Sequence, residues 1–280
     1  MRPPDAGQIA RFAVHALVFV GLTLLTQLGG IAYAVAVLSV AHVANRGVAA
    51  LSGLGLFLAA YALLHLAAER TAPLHGRVPL PCTTSPSADL QIANRLICVL
   101  NRHYVRPELL AVTKALAAHM AEKHGAATVA LDANFPFIDG FPLLPHLSHD
   151  DGRKLDLAFY YGDAGGQYQR GLIPSPIGYW GFEEPQAGAD EPCKQRNDLL
   201  TLRWDMAWFQ GYIKPTRLDR DRTAAALRWL STEGKRQGVE KILLEPHLKQ
   251  SLGLDSDIIR FQGCRAARHD DHIHFQWKEG

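Results

Sequence analysis

Two short clusters of histidine and aspartate carry the clearest chemical signal in this 280-residue sequence. The first covers residues 148–156 with the letters SHDDGRKLD, and the second covers residues 269–275 with the letters HDDHIHF. Imidazole and carboxylate groups are zinc ligands when two or three of them converge and leave one position open for water. The first hypothesis is therefore a metal centre built from two distant parts of the chain.

Local geometry decides which of these side chains can meet. In one continuous strand, His149 and Asp156 would face opposite sides, because side chains alternate along a strand. Residues 150–152 predict a tight turn, since the glycine tolerates the backbone angles that a reversal needs. That turn would let both side chains converge on one point. In the second cluster, His272 and His274 would share one face of a strand.

The two clusters together resemble the LAS group of metallopeptidases. This group includes lysostaphin-type enzymes, D-Ala-D-Ala peptidases and the Hedgehog signalling domain. Residues 148–156 follow the pattern Ser-His-x-x-Gly-x-x-x-Asp, and residues 269–274 follow His-x-x-His-x-His. The pair of motifs is most similar to that of the penicillin-insensitive murein endopeptidases. The resemblance covers both motifs well and the rest of the chain only loosely.

The resemblance implies a role for each residue of the two motifs. The zinc ligands would be His149, Asp156 and His274, and the implied cofactor is Zn²⁺. His272 would act as the general base or stabilise the transition state. His269 would support a neighbouring group or face the substrate.

The same resemblance implies a reaction and leaves alternatives open. The implied activity is zinc-dependent hydrolysis of amide bonds in peptidoglycan peptides that contain D-amino acids, by an endopeptidase or a carboxypeptidase. The Hedgehog domain indicates that this scaffold also serves recognition, so a zinc-containing binding module without hydrolytic activity is one alternative. A cytoplasmic dipeptidase that acts on D-amino acid peptides is the other.

Neighbouring polar and aromatic residues are expected to have structural roles. The remaining aspartates of the two clusters are Asp150, Asp151, Asp270 and Asp271. Aspartate is common in turns, so we assign none of them as a ligand, although either pair could orient a ligand imidazole. His146 and His247 are expected to serve packing or capping. The aromatic groups at 179–182 and 204–209 are expected to pack in the core rather than line a groove.

The elements that would position the motifs follow from local patterns. Helices are predicted for residues 89–103, 108–124 and 223–235, where apolar residues recur on one face. Strands are predicted for residues 128–132, 154–161, 239–245, 258–262 and 272–277. A long loop is predicted for residues 162–196. Because helices and strands lack a regular βαβ alternation, we expect an α+β domain of mixed helices and antiparallel sheet over residues 88–280.

The beginning of the chain has a different composition. From residue 10 to residue 68 the only formal charges are Arg11 and Arg46. The apolar run 12–44 is longer than the roughly 20 residues that one straight transmembrane helix needs. A second run, 48–68, has a suitable length for one span.

These runs predict a membrane anchor over residues 1–70. We expect two transmembrane helices, or three if Gly29 and Gly30 divide the first run into two short passes. Residues 71–87 are rich in Pro, Thr and Ser and are predicted to form a linker. The membrane lipid bilayer is accordingly one expected partner.

The cysteines bear on the compartment. All four follow the anchor, and none forms a C-x-x-C pair. Their even number favours two disulfides in an oxidising compartment, and four buried free thiols are the alternative. Sequence alone leaves three pairings open, one of which joins Cys82 to Cys98 and Cys193 to Cys264.

Charge and cysteine usage point to different orientations. With two spans, the arginines weakly favour both ends in the cytoplasm, whereas disulfides favour the periplasmic face of a bacterial inner membrane. Three spans with the N-terminus inside would satisfy both, and we expect a periplasmic domain. The net charge of +2 with 20% charged residues gives no reason to expect a nucleic-acid partner. The expected partner is a peptidoglycan peptide, and the oligomeric state is left open.

Overall fold

Three apolar helices begin the chain in this computed structural model, which describes residues 5–194, 207–213 and 215–279. They are α1 (Ala6–Thr26), α2 (Gly29–Val40) and α3 (Arg46–Thr71). The chain breaks after α1 at Gln27, whose φ of 65° is left-handed. It then reverses closely, because a Cβ on Gly30 would lie 2.7 Å from the carbonyl oxygen of Phe19. The glycine pair thus divides the first apolar run.

Two of the helical stretches, Ala6–Thr26 and Arg46–His75, are long and apolar enough to cross a membrane, which confirms that part of the prediction. Both end against the C-terminal domain. The side-chain amide of Asn101 donates to the carbonyl of Thr26 at 3.1 Å, and the Tyr61 hydroxyl donates to the carbonyl of Val99 at 2.5 Å. The shorter α2 lies between them and runs back, and its 12 residues are fewer than a full span needs.

The C-terminal domain is built on strands whose central members carry both motifs. The strands are β1 (Val78–Pro79), β2 (Leu90–Ile92), β3 (Tyr104–Val105), β4 (Thr128–Ala130), β5 (Lys154–Ala158), β6 (Tyr161–Gly162), β7 (Arg217–Leu218), β8 (Val239–Leu243), β9 (Ile259–Arg260) and β10 (His272–Trp277). Six form one sheet in the order β2-β4-β5-β10-β8-β9, and β1-β3 and β6-β7 form two-stranded sheets. The central pairs β4-β5, β5-β10 and β10-β8 are antiparallel, whereas the outer pairs are parallel. The expected mixture of helices and strands is confirmed.

Helices cover one face of the six-stranded sheet. They are α5 (Pro107–His124), α6 (Arg220–Trp229) and α7 (Pro246–Ser251), which contribute to the main core, whereas the short helix α4 (Arg95–Val99) packs in a separate small cluster with Ile92. On β10, Ile273 and Phe275 are fully buried in the core that includes residues of α5 and α6. Because side chains alternate along a strand, His272 and His274 point to the opposite face. The burial of Ile273 and Phe275 in the core therefore determines which face of the sheet carries the two histidines.

Several element boundaries differ from the sequence prediction. The helix predicted for 89–103 is wrong, since this stretch contains β2 and the short helix α4. All three residues of β2 are buried, and the strand pairs with β4 in parallel over its whole length. The predicted linker 71–87 contains a 3-10 turn at Ala72–His75 and strand β1, which pairs with β3. The helix predicted for 223–235 begins earlier, at α6, because Asp219 caps it.

The expected disulfides are confirmed, and the pairing is Cys82 with Cys98 and Cys193 with Cys264. The first ties the former linker to α4, and the second closes a separation of 71 residues. Among the described residues no cysteine is free.

Protein isolated under native conditions should therefore resist alkylation. We expect the intact mass to be unchanged by iodoacetamide without reductant, and to rise by four adducts after reduction in denaturant. Four adducts without reductant would contradict the pairing, and with it the argument for an oxidising compartment.

Candidate metal centre

The centre begins with two residues on neighbouring strands. In the antiparallel pair β5-β10, Asp156 lies directly opposite His274. Directly opposed side chains on one face of a sheet are close enough to interact, and the Nδ1 atom of His274 is 2.8 Å from Oδ1 of Asp156. Both side chains are almost fully buried. The sheet register itself therefore brings a residue of the first motif to a residue of the second.

The turn that precedes β5 adds the third residue. Gly152 has a φ of 82°, a conformation that favours glycine, and the chain reverses there as expected from 150–152. The reversal places Nε2 of His149 3.3 Å from Oδ1 of Asp156 and 3.1 Å from Nδ1 of His274. The three residues that the resemblance names as ligands thus converge on one point.

Contacts behind the imidazoles orient their nitrogen atoms. Nδ1 of His149 is 2.7 Å from the carbonyl oxygen of Ala133, an acceptor, so this nitrogen donates and Nε2 is the atom that faces the other converging residues. Nε2 of His274 is 2.9 Å from the side-chain amide nitrogen of Gln276, and this contact holds the ring with Nδ1 towards Asp156. Outer contacts of this kind orient the ligands of metal sites.

The spacing of these atoms fits a metal ion. Zinc binds nitrogen and carboxylate oxygen at about 2.0 to 2.2 Å in tetrahedral sites, which puts neighbouring ligand atoms about 3.3 Å apart. The separations of 2.8, 3.1 and 3.3 Å are close to that value. A second grouping shares two of the residues: ligand atoms of His146, His149 and Asp156 all lie within 4.8 Å of one another. This buried histidine and aspartate cluster could hold a metal ion.

His146 is the member of the site that the sequence prediction left out. Its Nδ1 lies 3.1 Å from Oδ2 of Asp156 and 3.2 Å from Oδ2 of Asp132. Burial acts to lower the pKa of His146, but the bonds to the two carboxylates outweigh it and raise the pKa to about 10. The prediction that this residue serves only packing is therefore wrong, and its spacing of three residues from His149 was the available signal.

Asp132 is in turn held by Arg102. Two hydrogen bonds of 2.7 Å join the guanidinium to the carboxylate, and both side chains are 10% exposed. Burial acts to raise the pKa of Asp132, but the charge of Arg102 outweighs it and lowers this pKa. The ion pair thus fixes the carboxylate that His146 contacts.

Replacement of Asp132 by alanine should destabilise the domain. Removing one partner of a buried ion pair leaves the other charge uncompensated and costs about 3 to 5 kcal/mol. Urea unfolding of the purified full chain would measure the difference. Asp89→Ala is a matched control, because Asp89 pairs with Arg170 but is 52% exposed, and it should cost about 1 kcal/mol or less. Equal effects of the two variants would contradict the structural role of the buried pair.

His272 lies beside the three converging residues, with different contacts. Its Nδ1 bonds to a carboxylate oxygen of Asp271, and its Nε2 is 3.8 Å from Oδ1 of Asp156. Asp271 is itself fixed, since its other oxygen accepts the backbone N–H of Trp180 at 2.6 Å. Burial acts to lower the pKa of His272, whereas Asp156 and Asp271 raise it, and the net direction is upward. This arrangement suits the predicted acid–base role, which stays a prediction.

His269 is buried among the other imidazoles. Its ring centre is 5.0 Å from that of His272 and 5.5 Å from that of His274. Burial and these neighbours hold its pKa well below the usual range, which favours the neutral ring. Its Nδ1 has no hydrogen-bond partner among the residues that the structure describes. The residue lines the metal-site cleft, as a substrate-facing group would.

The four remaining aspartates divide into three kinds of contact. Asp150 and Asp151 accept hydrogen bonds from Lys154 at 3.2 and 2.8 Å, so they stabilise the turn. Asp270 pairs with Arg268 at 2.9 Å, and burial raises the pKa of Asp270 to about 7. Only Asp271 orients an imidazole of the site.

A cleft leads to the centre from two sides. The part that contains the converging residues has a volume of about 540 Å³ and is lined by residues 144–149 and 265–267 among others. An adjoining part of about 300 Å³ is lined by apolar and aromatic residues, including Tyr179, Trp180 and Phe182. Leu144, Pro145, His146, Ala267 and His272 line both parts. An extended ligand could therefore pass across the metal centre.

The aromatic groups do more than fill the core. Tyr179 donates a hydrogen bond of 2.8 Å to Oδ2 of Asp156, and Trp180 lines the smaller part of the cleft. Phe209 stacks on Trp180 with 4.6 Å between ring centres. The expectation that 179–182 would serve core packing is thus incomplete, because Tyr179 also contacts a candidate ligand. Residues 204–206 of the other aromatic group lie outside the described residues.

One further group has metal-ligand chemistry. Ligand atoms of Cys82, Cys98 and His103 lie within 4.8 Å of one another, but the two sulfur atoms form a disulfide. These sulfurs are not thiolates, which are the form of cysteine that binds metals.

The sequence matches no model of a known protein family, and it matches none of the curated proteins with which it was compared. The likeness to LAS metallopeptidases therefore rests on the two motifs and on the way the fold brings their residues together.

Proposed function

We propose that this protein is a membrane-anchored, zinc-dependent peptidase that hydrolyses amide bonds in peptidoglycan peptides. The observation that carries the proposal is the convergence of His149 Nε2, Asp156 Oδ1 and His274 Nδ1 within 3.3 Å of one another. Three side chains from two separate motifs meet at the bottom of a cleft, with His272 beside them. Catalytic zinc sites have three protein ligands and one open position.

Zinc is the metal that this donor set suits best. Two imidazoles and one carboxylate are among the usual ligands of catalytic zinc, whereas calcium and magnesium prefer oxygen ligands alone. When bound, zinc polarises a carbonyl group and activates water for attack. The assignment of zinc and of its ligands belongs to this proposal.

The remaining residues of the site supply positioning and proton transfer. His272 takes a proton from the attacking water at Nε2, because Nδ1 is engaged by Asp271. The resulting imidazolium is stabilised by that carboxylate, and it can return the proton to the departing amine. Tyr179 and His146 hold the second oxygen of Asp156, which keeps the first oxygen directed at the converging atoms.

The course of the chain through the anchor supports a periplasmic domain. Because α1 and α3 both end at the C-terminal domain, Arg11 and Arg46 lie towards the opposite end of the helices. With these arginines on the cytoplasmic side, the domain and its two disulfides are in the oxidising periplasm. Peptidoglycan is the amide-containing polymer that a hydrolase meets there.

The proposal is tested with the purified full chain in detergent. Elemental analysis should give one zinc per chain, and incubation with purified sacculi should release peptides that mass spectrometry identifies by the bond cut. Treatment with a chelator should stop the release, and added zinc should restore it. A protein that holds stoichiometric zinc and releases no peptide from sacculi or from free D-amino acid peptides would overturn the enzymatic proposal and favour a binding module.

A further inference from the structure

The C-terminal end of α3 shows where the lipid must begin. Leu63 is 68% exposed and Leu66 is 49% exposed, and both lie on the side of the helix away from the C-terminal domain. Leucines at this exposure on an apolar helix that spans a bilayer are covered by lipid. The first charged residue after them is Glu69. The bilayer therefore extends along α3 at least to the turn that carries Leu63 and Leu66.

The C-terminal domain covers the other side of α3 at the same height. The Tyr61 hydroxyl bonds to the carbonyl of Val99 at 2.5 Å, and Nδ1 of His65 is 2.7 Å from the Asn101 side chain. Tyr61 precedes Glu69 by eight residues, which is about 12 Å along the helix. The segment that follows α4 thus lies beside a part of α3 whose opposite face is in lipid.

The short helix α4 presents apolar side chains at this height. Leu96 is 55% exposed and Val99 is 51% exposed. Isolated apolar residues are ordinary on a protein surface, but these two belong to a helix whose last residue is bonded to the membrane helix. A polar surface would be expected there if the helix faced bulk water.

The same helix forms one wall of the catalytic cleft. Leu96, Ile97 and Leu100 line the smaller part of the cleft together with Leu144. Leu144 also lines the part that contains the candidate metal ligands and is 47% exposed. Next to it, Leu147 lines that same part and is 60% exposed. The apolar surface of α4 therefore continues to the mouth of the metal centre.

We propose that Leu96, Val99, Leu144 and Leu147, here called the apolar rim, lie in the headgroup layer of the bilayer. We infer further that the cleft receives a peptide joined to a lipid anchor, so that the scissile amide is presented at the membrane surface. The second statement rests on the proposed peptidase function, whereas the first does not. Because the rim forms part of the cleft wall, the cleft opens at the membrane surface, where a lipid-linked peptide extends from its anchor. A polymer strand far from the membrane would have to approach the bilayer to enter the same cleft.

The position of the rim is tested by spin labelling of the full chain in vesicles of phosphatidylethanolamine and phosphatidylglycerol. All four native cysteines are in disulfides, so Leu96→Cys and Leu147→Cys each add the only free thiol. We expect labels there to collide more with dissolved oxygen than with a water-soluble nickel chelate. Asp257→Cys is the control, because Asp257 is 74% exposed beside Lys235, and its label should favour nickel. Nickel access at 96 and 147 equal to that at 257 would overturn the rim.

The substrate class is tested with one D-amino acid-containing peptide, prepared free and joined through a polar spacer to a dialkyl lipid in the same vesicles. We expect Val99→Asp, a substitution of the one rim residue that lines neither part of the cleft, to lower the rate on the lipid-linked peptide at least tenfold and to leave the rate on the free peptide unchanged. Equal losses on both peptides, or none on either, would overturn the lipid-linked substrate alone. Zinc-loaded wild-type protein that cleaves neither peptide would overturn the proposed function, and the labelling would still decide the position of the rim.

Discussion

The His272→Ala variant is expected to keep its zinc and to lose its hydrolytic rate by about a hundredfold or more, the contribution of a general acid–base group. The reason is geometric. Nε2 of His272 is 3.8 Å from the nearest ligand oxygen, further than the three converging atoms are from one another. Its Nδ1 is bonded to Asp271, so the ring is held for proton transfer. Peptide release from sacculi and elemental analysis of the same preparation measure both parts.

The control for this variant is another histidine outside the site. His119 packs against Trp229 with 6.0 Å between ring centres, on the core side of the sheet, and His119→Ala should keep both zinc and rate. Loss of zinc from His272→Ala would assign this residue to the metal instead. An unchanged rate with zinc retained would remove it from the chemistry.

Replacement of a ligand has a different expected result. His149→Ala and Asp156→Ala should each lose stoichiometric zinc, because each removes one of three protein ligands. The loss should appear in elemental analysis after dialysis and should abolish peptide release. Circular dichroism separates this result from unfolding. Full zinc occupancy in either variant would contradict the ligand assignment.

Two further variants decide between the possible ligand groups. If the metal is held by the residues that the resemblance names, His274→Ala should lose zinc and His146→Ala should keep it. If His146 is the third ligand, as its distance to His149 and Asp156 permits, the two results should be reversed. Both side chains are at most 15% exposed, so burial is comparable and the pair is closely matched.

The sequence predicted the parts of the site that depend on local geometry. The turn at 150–152 and the alternation along β10 are properties of short segments, and both are found in the structure. Whether Asp156 meets His274 depends on strand pairing, which local pattern does not contain. The two-motif resemblance supplied that information instead. The roles of the residues stay predictions.

The contacts that the sequence did not reveal come from distant segments. Arg102 lies in the stretch predicted as one helix, 89–103, and Asp132 lies at the end of the predicted strand 128–132. Local patterns do not show that these two segments meet, so the ion pair could not be expected. The error had a physical cause: β2 is short and buried on both faces, and a short apolar run does not distinguish a buried strand from a helix. His146 was missed for a different reason: its partner Asp132 follows β4, and local patterns do not show contacts between separate segments.

The disulfide between Cys193 and Cys264 provides a second covalent connection between the two parts of the chain that carry the candidate metal ligands. His149 and Asp156 precede Cys193, whereas His274 follows Cys264. A single break of the main chain anywhere between the two cysteines would leave the ligands on two separate peptides that only this sulfur–sulfur bond joins. Such a nicked form would keep the mass of the whole chain in a non-reducing gel and divide into two fragments on reduction. The covalent link between the two halves of the centre would then depend on the redox state of one bond, while the pairing of β5 with β10 would still hold them together in the folded protein.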